Sequence, residues 1–243
     1  MNKPKMIIFD YGQTLVHEDL FNGIKGTEAV LANCMAEGNG VAAEEVQKLA
    51  DELNTELDRF NPESRQLAFV EIHEHPFQNY LYEYFGLKRT VSMLELETVF
   101  WNTASPGRTT HNIVEFLQYL KNIGMRTAVI SNIAFSGEAL NNRISRLLPD
   151  NEFEFVIASS EYVFRKPSER IFTLAARKAR LEPKDLWYCG DNAICDIDGA
   201  KNAGIFPVWY KGAHIGTEVK PKSECLTIYD WMELKKVLEE CQP

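Results

Sequence analysis

The stretch Met6-Ile7-Ile8-Phe9-Asp10-Tyr11-Gly12-Gln13-Thr14 decides how the chain reads. Four consecutive apolar residues suit a parallel strand buried on both faces, where neither side of the strand meets water. The run stops at a carboxylate and passes into Gly12, a turn residue. An acid at the end of a buried strand stands at the rim of a sheet, and open α/β sheets bind ligands beyond the carboxyl ends of their strands.

The same pattern recurs toward the C-terminus. Thr127-Ala128-Val129-Ile130 ends on Ser131-Asn132, and Leu186-Trp187-Tyr188-Cys189 ends on Gly190-Asp191. Phe155-Val156-Ile157-Ala158, Phe206-Pro207-Val208-Trp209 and Leu226-Thr227-Ile228-Tyr229 are further strands. Helical periodicity separates them. Ile113, Phe116, Leu117 and Leu120 mark a helix closed by Gly124. Ser168 caps another that runs to about Arg180, a third follows Asp191 as far as Gly204, and Asp230 with Glu233 box-caps the last. Strands alternating with helices predict an α/β fold, a Rossmann-like doubly wound parallel sheet.

Between about Ile24 and Thr103 the pattern is helical. Val46, Leu49, Ala50, Leu53, Leu57 and Phe60 form one apolar stripe, Ser92 with Glu95 reads as a capping box, and Pro62 and Pro76 bound the helices near them. No strand is legible there. Some eighty helical residues are too many for a crossover and predict an inserted all-helical domain. The expected division is 1–16 and 105–243 for the Rossmann-like core, with 17–104 as the insert.

Bulk properties narrow the function. The 243 residues suffice for a sizeable core. A net charge of −9 argues against a nucleic-acid partner and requires a local cation to draw in a phosphorylated ligand. No apolar run approaches a membrane span, and Met1-Asn2-Lys3-Pro4-Lys5 leads into too short an apolar run for a signal peptide. Five cysteines without a CxxC pair suit a reducing compartment and no structural zinc, so the expected location is cytoplasmic.

Taken in order, Phe9-Asp10-Tyr11-Gly12-Gln13-Thr14-Leu15, Ile130-Ser131-Asn132, Arg165-Lys166-Pro167 and Gly190-Asp191-Asn192 with Asp196 resemble the four motifs of the haloacid-dehalogenase-like hydrolase superfamily. The resemblance covers about residues 5–210, and the insert resembles that family's helical cap of the first type. It implies Asp10 as covalent nucleophile and Ser131, Asn132 and Lys166 as the groups that meet a phosphoryl group. It implies Mg2+ held by the Asp10 side chain, the main-chain carbonyl of Gly12, and Asp191, with Asn192 and Asp196 in support. A carboxylate attacking phosphorus splits one displacement into two, and positive, preorganised groups must meet the equatorial charge that develops. The expected activity is a phosphatase acting on a small phosphorylated metabolite, as a monomer or a cap-mediated homodimer.

This chain departs from the family pattern at two adjacent positions, Gly12 and Gln13. Phosphatases of the family usually carry a second aspartate two residues after the nucleophile, which passes a proton to the leaving group. Gly12 stands there and cannot transfer one. Gln13 also replaces the usual glycine. General acid–base help is typically worth about 10²–10⁴-fold, so activity is expected to be slow, altered or rescued by another donor, for which His17 and the adjacent Glu18 are the candidates. Two alternatives follow: a phosphate-ligand-binding protein without turnover, and a carbon–halogen or carbon–phosphorus hydrolase. The retained Gly190-Asp191 favours a metal over dehalogenation, and Lys25 is a weak match to the cap lysine of the phosphonate-cleaving relatives. His73-Glu74-His75 is expected to pack rather than bind metal, because helical residues two apart face different ways. Phe77, Tyr80, Tyr84 and Phe85 are expected to be core of the insert, or a dimer contact.

Overall fold

A computed structural model describes residues 2–36, 40–59, 69–213 and 219–241. In chain order the elements are β1 (Met6–Phe9), β2 (Val16–Glu18), α1 (Gly23–Leu31), β3 (Cys34–Ala36), α2 (Ala43–Glu56), α3 (Glu74–Tyr84), β4 (Leu87–Arg89), α4 (Met93–Ala104), β5 (Gly107–Thr109), α5 (Ile113–Asn122), β6 (Arg126–Ser131), α6 (Gly137–Leu147), β7 (Val156–Ala158), α7 (Glu169–Ala179), β8 (Leu186–Gly190), α8 (Gly199–Asn202), β9 (Phe206–Tyr210), β10 (Leu226–Ile228) and α9 (Trp231–Glu240).

Six strands form one parallel sheet in the order β10-β9-β8-β1-β6-β7. Side chains alternate between its faces, as the two-residue period of a strand requires. Ile7, Phe9, Val129, Trp187 and Cys189 pack on one side against Phe116 of α5, Leu140 of α6 and Trp231 of α9. Met6, Ile8, Ala128, Ile130, Leu186 and Tyr188 pack on the other against Ile171, Phe172 and Ala175 of α7. Apolar layers on both faces explain the uninterrupted runs of β1 and β6, and the α/β, Rossmann-like architecture is the one expected.

The insert has its own core, in which Val30, Ala50, Phe77, Leu81, Tyr82, Leu87 and Leu96 are buried together. Ser92 and Glu95 make the expected reciprocal cap, and Pro76 sits in the first turn of α3, where its missing N–H removes no helical bond. Phe60 and Pro62 lie outside the described residues. The insert is not wholly helical. β3 and β4 pair antiparallel within it, and β2 and β5 pair antiparallel where the chain enters and leaves it. These strands have three residues each, too few to show an alternation that sequence could reveal.

Where one helix was expected to follow Asp191, a π-helical turn over Ala193–Asp198 precedes α8. The Ile197 N–H reaches the Asn192 carbonyl at 3.2 Å, the wider i to i+5 bond. Among the described residues no helix is long and apolar enough to cross a membrane.

Candidate active site

β1 lies between β6 and β8, with Phe9 opposite Val129 on one side and Cys189 on the other. Asp10, one residue further along, and Ser131 and Asp191, two residues further along, therefore reach one edge. Carboxylate oxygens of Asp10, Asp191 and Asp196 lie within 4.8 Å of one another. Asp10 and Asp196 are buried, and Asp191 is half-buried.

Lys166 enters from the loop before α7. Its Nζ donates to Asp10 Oδ1 at 2.5 Å, Asp196 Oδ1 at 2.6 Å and Tyr188 Oη at 2.7 Å. An ammonium has three N–H bonds, so all are engaged with protein. Lys166, expected to meet a phosphoryl group, here anchors the carboxylates of Asp10 and Asp196 through its ammonium. Asn132, expected to bind substrate, is occupied too. Its Nδ2 donates to the Lys166 carbonyl at 2.8 Å and its Oδ1 accepts from the Lys166 N–H at 2.7 Å. It positions Lys166. Ser131 is buried at the end of β6.

Asn192 caps the π-helical turn, its Oδ1 accepting from the N–H groups of Ile194 and Cys195. Its own N–H donates to Asp196 Oδ2 at 2.9 Å, so both Asp196 oxygens are engaged. Gly190 makes this possible: a Cβ there would stand 2.4 Å from the Asp196 Cγ. Tyr188, hidden in the apolar run of β8, was not singled out by sequence. Burial pushes its phenol well above the ordinary range, so the hydroxyl remains protonated.

Burial is also the main force that pushes the Asp10 carboxyl upward. Lys166 opposes it, and the Asp196 and Asp191 carboxylates reinforce it. When all three are ionised, three carboxylates with one ammonium leave a surplus of two negative charges that a cation can offset. Oxygen donors with that surplus suit a hard divalent cation, and Mg2+ takes one or two carboxylates while keeping waters. The donor set therefore fits the expected ion.

Gly12 and the two proton-donor candidates resolve differently. Among the described residues beyond its chain neighbours, a Cβ on Gly12 would meet only Glu18 Oε2, at 3.9 Å. Glu18 and His17 are neighbours on β2 and so point to opposite sides. His17 lines a cleft with Arg108, Thr110 and His111 that none of the three clustered acids borders. Glu18 Oε1 accepts from Trp101 Nε1 at 3.0 Å and Arg143 Nη2 at 3.2 Å, and burial raises its carboxyl. Gln13 has φ +54°, the left-handed backbone that glycine adopts without strain. Its Nε2 donates to the Glu18 carbonyl at 2.9 Å, which helps hold it there.

His73 stands ahead of α3 as its N-cap rather than on the helix, and its ring meets that of His75 at 4.6 Å instead of facing away from it, while His75 pairs with the buried Glu97 at 3.0 Å. Of the aromatic set, Phe77 is core, whereas Tyr80 and Tyr84 are exposed and stacked on each other.

Known proteins resemble this one in both sequence and fold. The chain is 32% identical over 125 residues to a glyceraldehyde 3-phosphate phosphatase of Pyrococcus furiosus, covering 49% of this chain and 50% of that one. It is 37% identical over 82 residues to the human haloacid dehalogenase-like hydrolase domain-containing protein 3, covering 34% and 32%. The matches thus span half or less of these relatives. The crystal structure of a 2-haloacid dehalogenase from Pseudomonas syringae superposes with a TM-score of 0.63 at 20% identity, over 98% of this chain and 99% of that one. At that identity the likeness shows the fold alone. Residues 4–204 match the haloacid dehalogenase-like hydrolase family, and the chain belongs to it.

Proposed function

We propose that this chain is a magnesium-dependent phosphatase that works through a phospho-aspartyl intermediate on Asp10. The observation that carries the reading is the Lys166 ammonium bridging Asp10 and Asp196 at the rim of the sheet, with Asp191 beside them. The relatives named as glyceraldehyde 3-phosphate phosphatases support it.

Lys166 holds Asp10 Oδ1, which leaves Oδ2 to attack phosphorus. The Ser131 hydroxyl, with the N–H groups of the surrounding loops, meets the equatorial oxygens of the phosphoryl group. Asp10, Asp191 and the Gly12 carbonyl would hold the ion. Bound there, it would offset the crowding of negative charge and draw the phosphate in. Glu18, beside the vacant Gly12 position, is placed to give the leaving group its proton and then take one from water. The insert acts as a cap that shields the site and selects the leaving group.

The test is p-nitrophenyl phosphate hydrolysis with and without Mg2+, alongside Asp10→Asn. Activity that needs the ion and disappears in the variant is expected. The missing side chain at Gly12 favours one rival, a phosphate-binding protein without turnover. Phosphate binding in the absence of any hydrolysis would establish that rival.

A further inference from the structure

Beneath α1, α2 and α3, and against the loop after β6, lies a cavity of about 540 Å3. Its wall is mostly apolar, with Val30, Ala50, Phe77, Leu81, Phe100 and Phe135 contributing. Asn132 also borders it, and the same residue clamps Lys166, so the cavity adjoins the candidate site.

Two features of the wall restrict what could fill it. First, the charges cancel. Among the described residues, the charged ones bordering the cavity are Asp51, Arg59, Glu74 and Arg165, two acids and two cations. Arg59 pairs with Glu74 and lies over the Phe77 ring, and Arg165 pairs with Glu71 at 3.3 Å. A second anionic group would meet no surplus positive charge and would lose its hydration. Second, Gln78 is 3% exposed, yet among the described residues its Oε1 has no hydrogen-bond partner. Buried amides are normally paired, so an unpaired one in a cavity wall points to a ligand. Size adds to this. Ligand pockets of roughly 300–1,000 Å3 serve bodies of many heavy atoms, and a three-carbon fragment would leave most of this one empty.

We propose that this cavity receives the alcohol portion of the phosphate ester, and that this portion is an uncharged, largely apolar body, aromatic or branched, with one polar group that pairs with the Gln78 amide. The proposal rests on the phosphatase reading and names the substrate class for it. A short polyol phosphate or a phosphorylated carboxylate fits poorly on both charge and volume.

The experiment compares 1-naphthyl phosphate with glycerol 3-phosphate and phosphoglycolate on the full-length protein with Mg2+. The expected kcat/KM is at least tenfold higher for the naphthyl ester. Ala50→Phe fills the cavity and is expected to raise KM for that ester at least tenfold. Calorimetry on Asp10→Asn separates binding from turnover. If no ester is hydrolysed but 1-naphthyl phosphate binds, and Ala50→Phe in that background abolishes the binding, the cavity assignment stands and the phosphatase reading fails. A preference for phosphoglycolate or glycerol 3-phosphate overturns the proposal, as does unchanged naphthyl binding in Ala50→Phe. Gln78→Met covers the case in which Ala50→Phe does not fold. It is expected to raise Tm and to lower the preference for 4-hydroxyphenyl over phenyl phosphate. An unchanged preference counts against the role of Gln78.

Discussion

Glu18 turns its Oε2 toward the space that a side chain on Gly12 would fill, 3.9 Å from the ideal Cβ position. Its other oxygen is held by Trp101 and Arg143. Removing its proton should matter most when the leaving group is poor. Glu18→Gln is expected to lower kcat by about 10²–10³-fold for an alkyl phosphate and far less for p-nitrophenyl phosphate, whose phenolate leaves unaided. Equal losses for both esters would argue that Glu18 merely holds β2 in place.

The vacant space at Gly12 can be refilled. With no other atom of the described residues beyond its chain neighbours within 4 Å of its Cβ position, Gly12→Asp should fold with a Tm within a few degrees of the parent. In the Glu18→Gln background it is expected to recover about tenfold or more of the lost kcat on the alkyl ester. A folded double variant with no recovery would show that proton transfer is not what Glu18→Gln removed.

Lys166 is enclosed by Asp10, Asp196 and Tyr188, and is 2% exposed. Lys166→Met leaves two buried carboxylates without their ammonium. Breaking a buried pair in this way typically costs about 3–5 kcal/mol. Urea unfolding with a chelator present measures it, and Mg2+ should return part of the loss. A change below about 1 kcal/mol would mean that the site is far wetter than its burial implies.

The pH dependence has a definite sign. In the folded chain without metal the Asp10 carboxyl lies above its ordinary value of 3.8, chiefly through burial. The fold therefore favours the protonated acid, and that contribution is complete below the ordinary carboxylate range and declines as pH rises through the elevated value. A bound cation requires the ionised acid, so the stabilisation from Mg2+ grows over the same interval. Thermal melts between pH 5 and pH 9, with Mg2+ or chelator, should show the two curves separating as pH rises. Curves that converge instead would rule out Asp10 as a ligand.

Gly190→Ala tests how Asp196 is seated. The added methyl would lie 2.4–2.5 Å from Asp196 side-chain atoms, so the aspartate must move. Such overpacking typically costs about 1–3 kcal/mol. Activity should fall with stability, because Asp196 carries one of the three bonds of Lys166. Full activity in the variant would show that this seating is dispensable.

Much of the core was legible because its signals are local. A buried parallel strand announces itself as an apolar run, and Asp10, Ser131 and Asp191 follow three such runs directly. What escaped depends on distant partners. The three-residue strands Cys34–Ala36 and Leu87–Arg89 carry no alternation and exist by pairing with each other. Tyr188 looks like strand core because its ring is core, and only the fold shows where its hydroxyl ends. His17 and Glu18 are equally plausible as a loop; once they form a strand, parity sends Glu18 toward Gly12 and His17 into a separate cleft. The engagement of all three Lys166 N–H groups is a count of neighbours that no linear pattern contains.

Arg143 joins the two chain segments that connect the insert to the sheet. From α6 it grips Tyr11 and Glu18 on the way into the insert, and Asn102 and the Ser105 carbonyl on the way out. A single guanidinium thus clasps both cords of the tether. Grafting a foreign lid onto this scaffold would succeed only with seams cut between Asp19 and Trp101, so that both halves of the buckle stay with the body.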